Sequence, residues 1–268
     1  WDASRASAAD SPVAAVDESS LAALLYSSGT TGKPKGIGLT HHNLAVNSLA
    51  LTQAWGFTRD DVLLHALPMF HVHGLFIALG CVLLSGSRML FLPRFDVDAA
   101  LAARPRATAM MGVPTYYTRL LAHPRFDAAL CRGIRVFTCG SAPLLPDTFR
   151  AFEERTGQRI LERYGMTETS VIASNPLQGE RKAGAVGLPL AGTELRIVDD
   201  ADRALEAGTI GHVQVRGPSV FKGYWQRPDK TREDFTAEGW FRTGDDGFLD
   251  ADGYLHLVMA DGAGFKRP

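Results

Sequence analysis

The sequence has 268 residues, and its 28 Lys and Arg residues nearly balance its 29 Asp and Glu residues, for a formal net charge of −1. This balance argues against a general nucleic-acid binder, which would carry a basic excess. Hydrophobic residues make up 46% and charged residues 21% of the chain, a composition typical of a soluble globular protein. The longest apolar run, residues 74–84, is shorter than the ~20 residues that a membrane-spanning helix needs.

Cysteine usage and the first residues bear on the cellular compartment. Cys81, Cys131 and Cys139 form no CxxC pair and no even framework, which favours a reducing compartment and predicts a cytoplasmic protein. Residues 1–20 are rich in Ala, Ser and Asp and lack the basic and apolar regions of a signal peptide. They predict a linker-like segment.

Between residues 21 and 190, short apolar runs alternate with helical patterns. Buried strands are predicted over Leu21–Tyr26, Asp61–Leu67, Arg88–Leu92, Thr108–Gly112 and Ile134–Cys139. Helices are predicted over His41–Ala54 with Thr40 as its N-cap, a buried one over residues 74–84, and others over Tyr116–Ala122 and Pro146–Thr156, the last ending at Gly157. This order predicts an α/β fold with a mostly parallel sheet and helices on both faces.

Residues 191–258 follow a different pattern. Polar and apolar residues alternate over Glu194–Val198, Gly211–Arg216 and Tyr254–Val258, with Asp-Gly and Ala-Gly turns between these runs. This region therefore predicts a smaller antiparallel β section beside the α/β part.

The most informative stretch for chemistry is YSSGTTGKPKG, residues 26–36. Small residues let backbone N–H groups approach an anion, hydroxyl groups donate further hydrogen bonds, and the lysines add positive charge. The stretch is not a Walker A loop, because Ser27 stands where that pattern has Gly, and Pro34 follows Lys33. A flexible Ser/Gly turn is the alternative, but this composition after a strand favours a phosphate-binding loop.

That stretch resembles the phosphate loop of the adenylate-forming superfamily, which comprises acyl-CoA synthetases, peptide-synthetase adenylation domains and luciferases. Four further segments resemble motifs of the family in the same order, namely PMFHVHG at 68–74, GSAPL at 140–144, YGMTE at 164–168 and FRTGD at 241–245. The resemblance extends from about Leu21 to Val258. It implies part of the large N-terminal AMP-binding domain, with an α/β part at 21–190 and a β-rich part at 191–258.

The resemblance also implies the reactants and the residues that bind them. The reactants are a small carboxylic acid, ATP with Mg²⁺, and CoA as co-substrate. The β- and γ-phosphates would be held by Ser27, Ser28, Gly29, Thr30, Thr31, Gly32 and the catalytic Lys33. Thr167 would hydrogen-bond the α-phosphate and Glu168 would place Mg²⁺, which makes both catalytic candidates. Adenosine contacts are implied for Tyr164 on one face of adenine, for Gly140, Ser141 and Ala142 on the other, for the adjacent Gly165 and Met166, and for Asp245 at the ribose hydroxyls.

The spacing of two histidines in the second motif raises the question of a metal site. On a strand, His71 and His73 would place both rings on one face. No Cys or carboxylate cluster at zinc spacing accompanies them, so a structural or pocket role is favoured over a metal site. The resemblance implies that His71, with Ser141, contacts the acid substrate.

Arg163 bears on the choice of acid. Residues 113–121, 161–169 and 221–225 resemble the malonate-activating subgroup of acid–CoA ligases. Aryl- and fatty-acyl relatives usually carry a small or neutral residue at the position of Arg163. A guanidinium there can pair with the second carboxylate of a dicarboxylic acid such as malonate. The alternative is a surface arginine paired with Glu162 or Glu153.

The sequence departs from the family's pattern at both ends. Relatives carry roughly 150 further residues before the phosphate loop, and after the last strand a Gly-Arg-x-Lys-Asp run followed by a mobile C-terminal domain. Residues 259–268 do not match that run. We therefore expect a chain truncated at both ends, with a divergent tail and no C-terminal domain. Two function classes stay open: an acid–CoA ligase core for malonate or another short or aryl acid, and a non-catalytic nucleotide-binding remnant.

Overall fold

The computed structural model describes residues 14–27 and 34–258. Within these ranges the strands are β1 (Leu21–Ser27), β2 (Lys35–Thr40), β3 (Val62–His65), β4 (Arg88–Phe91), β5 (Ala109–Gly112), β6 (Val136–Cys139), β7 (Leu161–Met166), β8 (Ser170–Ser174), β9 (Leu188–Pro189), β10 (Glu194–Val198), β11 (Gly211–Arg216), β12 (Phe241–Leu249) and β13 (Leu255–Val258). The helices are α1 (His41–Ala54), α2 (Leu79–Ser85), α3 (Val97–Ala103), α4 (Pro114–Leu121), α5 (Ala128–Cys131), α6 (Pro146–Thr156) and α7 (Pro228–Asp234). A π-helical segment, His73–Ala78, leads directly into α2.

The main sheet is mostly parallel, as predicted. Over the described residues its strand order is β4-β3-β5-β6-β7-β8-β9. The pairs from β4 to β7 are parallel, and β8 and β9 add two antiparallel pairings at one edge. The carboxyl ends of β3, β5 and β6 therefore point to the same side of the sheet, where loops can gather functional groups.

Helices cover both faces of this sheet, which confirms the predicted fold class. Successive residues of a strand point to opposite faces, so Leu64 and Phe137 pack with α3 to α6, whereas Leu63 and Val136 pack with α1 and α2. The predicted buried strands owe their continuous apolar character to this double coverage.

The smaller antiparallel section is also confirmed. Strands β10, β11, β12 and β13 form a four-stranded antiparallel sheet in that order. Its apolar face packs on the main sheet through a third core that joins Val213 and Phe241 to Ile172 of β8 and Ile37 of β2. The middle of β12 is thereby held beside the end of β7.

Two helices begin and end where the sequence predicts. Thr40 accepts a hydrogen bond from the Asn43 backbone N–H, and the Asn43 side chain accepts one from the Thr40 backbone, which forms a capping box at the start of α1. Helix α6 starts with Pro146 and ends at Gly157, whose φ of 71° suits a residue without Cβ.

Two predictions about buried elements were wrong. Strand β1 lies outside the parallel sheet and pairs antiparallel with β2, and Tyr26 on it is 66% exposed. A short connection lets two adjacent runs pair as a hairpin, which accounts for this arrangement. The run at 74–84 is π-helical and then α-helical, and its last two leucines, Leu83 and Leu84, are exposed.

Two further features of the described chain concern membranes and thiols. Among the residues at 14–27 and 34–258, no helix is long and apolar enough to cross a membrane. Cys81, Cys131 and Cys139 are all buried free thiols.

Candidate active site

A cleft of about 670 Å³ opens where β6 and β7 of the main sheet meet the antiparallel sheet. The loop after β6 forms one wall, β7 forms the floor, and the middle of β12 forms the opposite wall. Its lining includes Ser141, Ala142, Tyr164, Gly165 and Asp245. Three motifs that are far apart in the sequence thus meet at one site.

Tyr164 and Asp245 form a direct contact across this cleft. The buried Tyr164 hydroxyl donates a hydrogen bond of 2.5 Å to Oδ2 of Asp245. Burial, with the Asp245 charge as the second cause, raises the pKa of Tyr164 well above its usual value, so the hydroxyl keeps its proton. The contact fixes the orientation of both side chains in the wall of the cleft.

Gly165 allows the close β7–β8 pairing of the hairpin that carries Met166, Thr167 and Glu168. The β7–β8 register shifts between Tyr164 and Gly165, and a Cβ on Gly165 would lie 1.8 Å from the Ser170 carbonyl oxygen. This close approach requires glycine. Half-buried Met166 ends β7, and the turn that follows carries Thr167, also half-buried, and Glu168, which is buried.

Glu168 lies in a polar cluster with Tyr224, Asp234 and Lys35, which the sequence did not predict. The Tyr224 hydroxyl is 3.3 Å from Oε1 of Glu168 and 3.0 Å from Oδ2 of Asp234, and its single proton serves one carboxylate at a time. Nζ of Lys35 lies 3.4 Å from the same hydroxyl. Burial raises the pKa of Glu168 above its usual value. The segment at 221–225 resembled a family subgroup, but nothing in it indicated this contact.

The phosphate-loop candidates lie mostly outside the described residues. Ser28, Gly29, Thr30, Thr31, Gly32 and Lys33 belong to that stretch, and their roles stay predictions. Ser27 ends β1 and is paired in register with Lys35 at the start of β2. Since Lys35 contacts the Tyr224 hydroxyl, the base of the loop lies next to the Glu168 cluster.

Arg163 is the most unusual group of the site. It is 4% exposed, and its side chain crosses directly over Gly140. Burial lowers its pKa to about 10, which leaves it charged at neutral pH. Among the described residues it forms no ion pair, because Glu153 pairs with Arg159 at 2.7 Å and Glu162 accepts from the Leu144 N–H. The surface-arginine alternative is therefore wrong.

The two histidines occupy different environments. His71 lies in a bend after β3, and His73 starts the π-helical segment, so the strand geometry considered above does not apply. His71 is exposed, and its ring lies 4.5 Å from the Phe70 ring at a tilt of 50°. His73 is 3% exposed, and its Nδ1 lies 3.1 Å from Oγ of Ser141. Substrate contact by His71 stays a prediction, while the structure brings His73 to Ser141 and Arg163.

Comparison with known proteins identifies the family. A sequence profile of AMP-binding enzymes matches residues 1–225. The chain belongs to the AMP-binding enzyme family. Malonate–CoA ligase of Arabidopsis thaliana is 42% identical over 266 residues, which are 92% of this chain and 43% of that protein. Sulfoacetate–CoA ligase of Cupriavidus necator is 39% identical over 253 residues, which are 93% of this chain and 49% of that protein.

A solved structure of the same family has the same fold. ATP-bound MatB from Rhodopseudomonas palustris matches with a TM-score of 0.93 and 49% identity, over 96% of this chain and 52% of that one. This AMP-binding chain spans about half the length of the relatives it matches.

Glu162 is a cleft residue that sequence reasoning considered only as an ion-pair partner. Its Oε1 accepts a hydrogen bond of 3.1 Å from the Leu144 N–H, and its Oε2 has no partner among the described residues. Burial raises its pKa from 4.5 to about 7. Because Glu162 precedes another charged residue on its strand, the sequence alone does not indicate that its carboxylate is buried.

We expect Glu162 to make stability depend on pH. The folded chain holds this proton more tightly than the unfolded chain, so its contribution is fully present below pH 4.5 and is lost as pH rises through about 7. The loss amounts to about 3 kcal/mol. Urea unfolding of wild type and Glu162→Gln at pH 4 and pH 8 should show that the difference between their free energies of unfolding changes by this amount. The exposed Glu206→Gln is the control, and equal pH profiles for wild type and Glu162→Gln would contradict the assignment.

Proposed function

We propose that the whole protein is an ATP-dependent acid–CoA ligase that activates malonate or a similar short dicarboxylate. The observation that carries this proposal is Arg163, a buried cation that lines the cleft and has no carboxylate partner among the described residues. Such a charge is costly unless an anion pairs with it. A dicarboxylic acid provides that anion while its other carboxylate reacts.

The reaction has two steps. One carboxylate oxygen of the acid attacks the α-phosphorus of ATP and expels pyrophosphate, and the CoA thiol then displaces AMP from the acyl-adenylate. Because both reactants of the first step are anions, positioning and charge stabilisation supply most of the catalysis. In our proposal Tyr164 stacks on adenine, Asp245 binds the ribose, and Thr167 binds the α-phosphate. Ser27 to Lys33 hold the remaining phosphates.

Glu168 suits the divalent cation that phosphoryl chemistry needs. Mg²⁺ prefers hard oxygen ligands and is often bound through one or two carboxylates plus substrate phosphates. Glu168 offers a buried carboxylate, and Asp234 lies on the other side of the shared Tyr224 hydroxyl. A bound Mg²⁺ would neutralise charge on the phosphates. The Tyr224 hydroxyl contacts Oε1 of Glu168, and Lys35 contacts that hydroxyl in turn.

Other short acids with a second anionic group fit the site, because that group can also pair with Arg163. Methylmalonate carries two carboxylates, and sulfoacetate carries a sulfonate as its second anion, so each can pair with Arg163. A fatty or aryl acid has no second anion and would leave the guanidinium buried without a partner. We therefore rank the dianionic acids above the monoanionic ones.

We also propose that the AMP-binding region is divided into an α/β part at 21–190 and a β-rich part at 191–258.

A panel of acids tests this function. Thioester formation by the intact natural protein should be measured with ATP, Mg²⁺ and CoA for malonate, methylmalonate, sulfoacetate, butyrate and benzoate. We expect kcat/KM for malonate to exceed that for butyrate by about 100-fold or more. Equal or better use of butyrate or benzoate would contradict the substrate class. Nucleotide binding without any turnover would instead support the non-catalytic alternative.

A further inference from the structure

A bulge in strand β12 carries Asp245 into the cleft. Between two regions of regular pairing, the single residue Val213 of β11 faces the three residues of β12 from Thr243 to Asp245. Gly244 has a φ of 81°, a conformation that glycine adopts without steric cost. Because side chains alternate along a strand with a period of two, an insertion of two residues leaves both flanking regions in phase. The extra backbone carries Asp245 to the Tyr164 hydroxyl.

The Thr243 hydroxyl replaces ladder hydrogen bonds that the bulge interrupts. Its Oγ1 donates to the Val213 carbonyl oxygen at 2.9 Å and accepts from the Asp245 N–H at 3.1 Å. Thr243 is buried, and buried backbone groups without a partner are costly. One side chain therefore satisfies a backbone group on each strand and fixes the Asp245 backbone against β11.

Side-chain contacts hold the two strands together on both sides of this bulge. On one side, Nδ1 of His212 lies 2.7 Å from Oδ1 of Asp246, the residue opposite it. On the other side, Asp202 accepts hydrogen bonds from Gln214 and Arg242, which are also opposite each other. A one-residue slip of either strand would break these contacts and reverse the faces of its side chains. The bulge is therefore confined to the three residues between these contacts.

We propose that Thr243 is a positioning residue for nucleotide binding, because its hydroxyl holds the β12 bulge in the form that directs the Asp245 carboxylate at the ribose hydroxyls of ATP. This inference rests on the proposed function, in which Asp245 binds the ribose. Tyr164 orients the carboxylate across the cleft, and Thr243 holds the Asp245 backbone within the sheet. A side chain without a hydroxyl at this position would leave an N–H and a carbonyl group unpaired, and the bulge would rearrange to pair them.

Two substitutions of Thr243 separate its shape from its hydroxyl. Valine has nearly the same shape and no hydroxyl, whereas serine keeps the hydroxyl and loses a methyl group. We expect Thr243→Val to raise the Kd for ATP by about 10- to 100-fold, the range for a hydrogen bond to a charged group. Thr243→Ser should change this Kd by less than about 3-fold, because the hydrogen bonds remain. Calorimetry on the intact protein with Mg²⁺ measures both values, and an equal Kd for the two variants would overturn the proposal.

An ATP analogue that lacks both ribose hydroxyls distinguishes positioning from general damage to the cleft. The Asp245 carboxylate has no ribose hydroxyl to bind on this analogue, so its Kd should be the same for wild type and Thr243→Val. The preference of the protein for ATP over the analogue should therefore fall in Thr243→Val. An equal rise in the Kd of ATP and of the analogue would show general disruption and would overturn the positioning role.

Thr156 provides a matched control. Its buried hydroxyl also bridges a carbonyl group and an N–H group at the end of α6, donating to Phe152 at 2.6 Å and accepting from Gln158 at 3.1 Å. Thr156→Val should lower the free energy of unfolding about as much as Thr243→Val does, and it should leave the Kd for ATP unchanged. A rise in that Kd as large as the rise in Thr243→Val would contradict the positioning role.

Asp245→Ala separates this inference from the proposed function. This variant should raise the Kd for ATP at least as much as Thr243→Val does, and adding Thr243→Val to it should change the Kd by less than about 2-fold. Additive losses in the double mutant would overturn the positioning role. A wild-type Kd in Asp245→Ala would instead refute the ribose contact on which the inference rests.

Hydrogen exchange tests the hydrogen bond of Thr243 without any substrate. The Asp245 amide of the intact protein, followed by NMR, should exchange about 10-fold or more faster in Thr243→Val than in wild type or Thr243→Ser. Equal exchange rates would overturn the inference even if Asp245 binds ATP. Faster exchange in Thr243→Val together with normal ATP binding by Asp245→Ala would support the bulge as described and refute the ribose contact of the proposed function.

Discussion

Replacing Arg163 with methionine is expected to lower kcat/KM for malonate by about 100- to 1000-fold, because a buried carboxylate loses its charged partner. KM for ATP should stay near its wild-type value, since Tyr164 and Asp245, the residues we propose bind the nucleotide, are untouched. Methionine keeps much of the volume and removes a buried charge that has no ion-pair partner among the described residues. The free energy of unfolding should therefore be unchanged or higher. Steady-state kinetics with urea unfolding of the same samples measures both effects.

A surface arginine provides the control for this substitution. Arg150 on α6 pairs with Asp147 three residues earlier and is largely exposed, so Arg150→Met should leave malonate kinetics unchanged. Wild-type malonate kinetics in Arg163→Met would rule out the proposed contact. A large loss of stability would show that Arg163 has a structural anion partner instead.

Gly140→Ala is expected to impair malonate use nearly as much as the loss of Arg163. A Cβ at Gly140 would lie 2.4 Å from Nε and 2.5 Å from Cζ of Arg163, distances that real Cβ atoms do not adopt. The guanidinium must move, and with it the charge that we propose binds the second carboxylate. Small misplacements of positioning groups can reduce rates by about 100-fold. Malonate kcat/KM of the purified variant measures the effect.

A matched glycine and a double mutant test the mechanism of that effect. Gly133→Ala is the control, because its added Cβ would approach only the Ala107 carbonyl oxygen at 3.6 Å. If Gly140→Ala acts through Arg163, it should change kcat/KM by less than about 2-fold when Arg163 is already methionine. Additive losses in the double mutant, or a Gly140→Ala enzyme with normal malonate kinetics, would contradict the account.

Local signals in the sequence predicted much of the fold. The N-cap Thr40 and the left-handed Gly157 are decided by residues close in the chain, so the bounds of α1 and α6 could be read from them. Continuous apolar runs predicted β3, β5 and β6, because helices cover both sheet faces and leave no polar side. The alternating pattern likewise predicted β10 and β11 to the residue.

The site was only partly predictable, because its key contacts join distant segments. Tyr164 and Asp245, 81 residues apart, were both named from motifs, yet their hydrogen bond was not expected. The contact of Ser141 with His73 spans 68 residues, and nothing in a His-x-His pattern indicates which ring is buried. The predicted position of β1 was wrong for the same reason, because its partner depends on hairpin pairing rather than on its own apolar residues.

The most direct test of the account is a crystal structure of the intact protein with malonate and a non-hydrolysable ATP analogue. We predict one malonate carboxylate within hydrogen-bond distance of the Arg163 guanidinium, and the other facing the α-phosphate. Malonate bound elsewhere, or an Arg163 side chain paired with a protein carboxylate in that complex, would contradict the central claim.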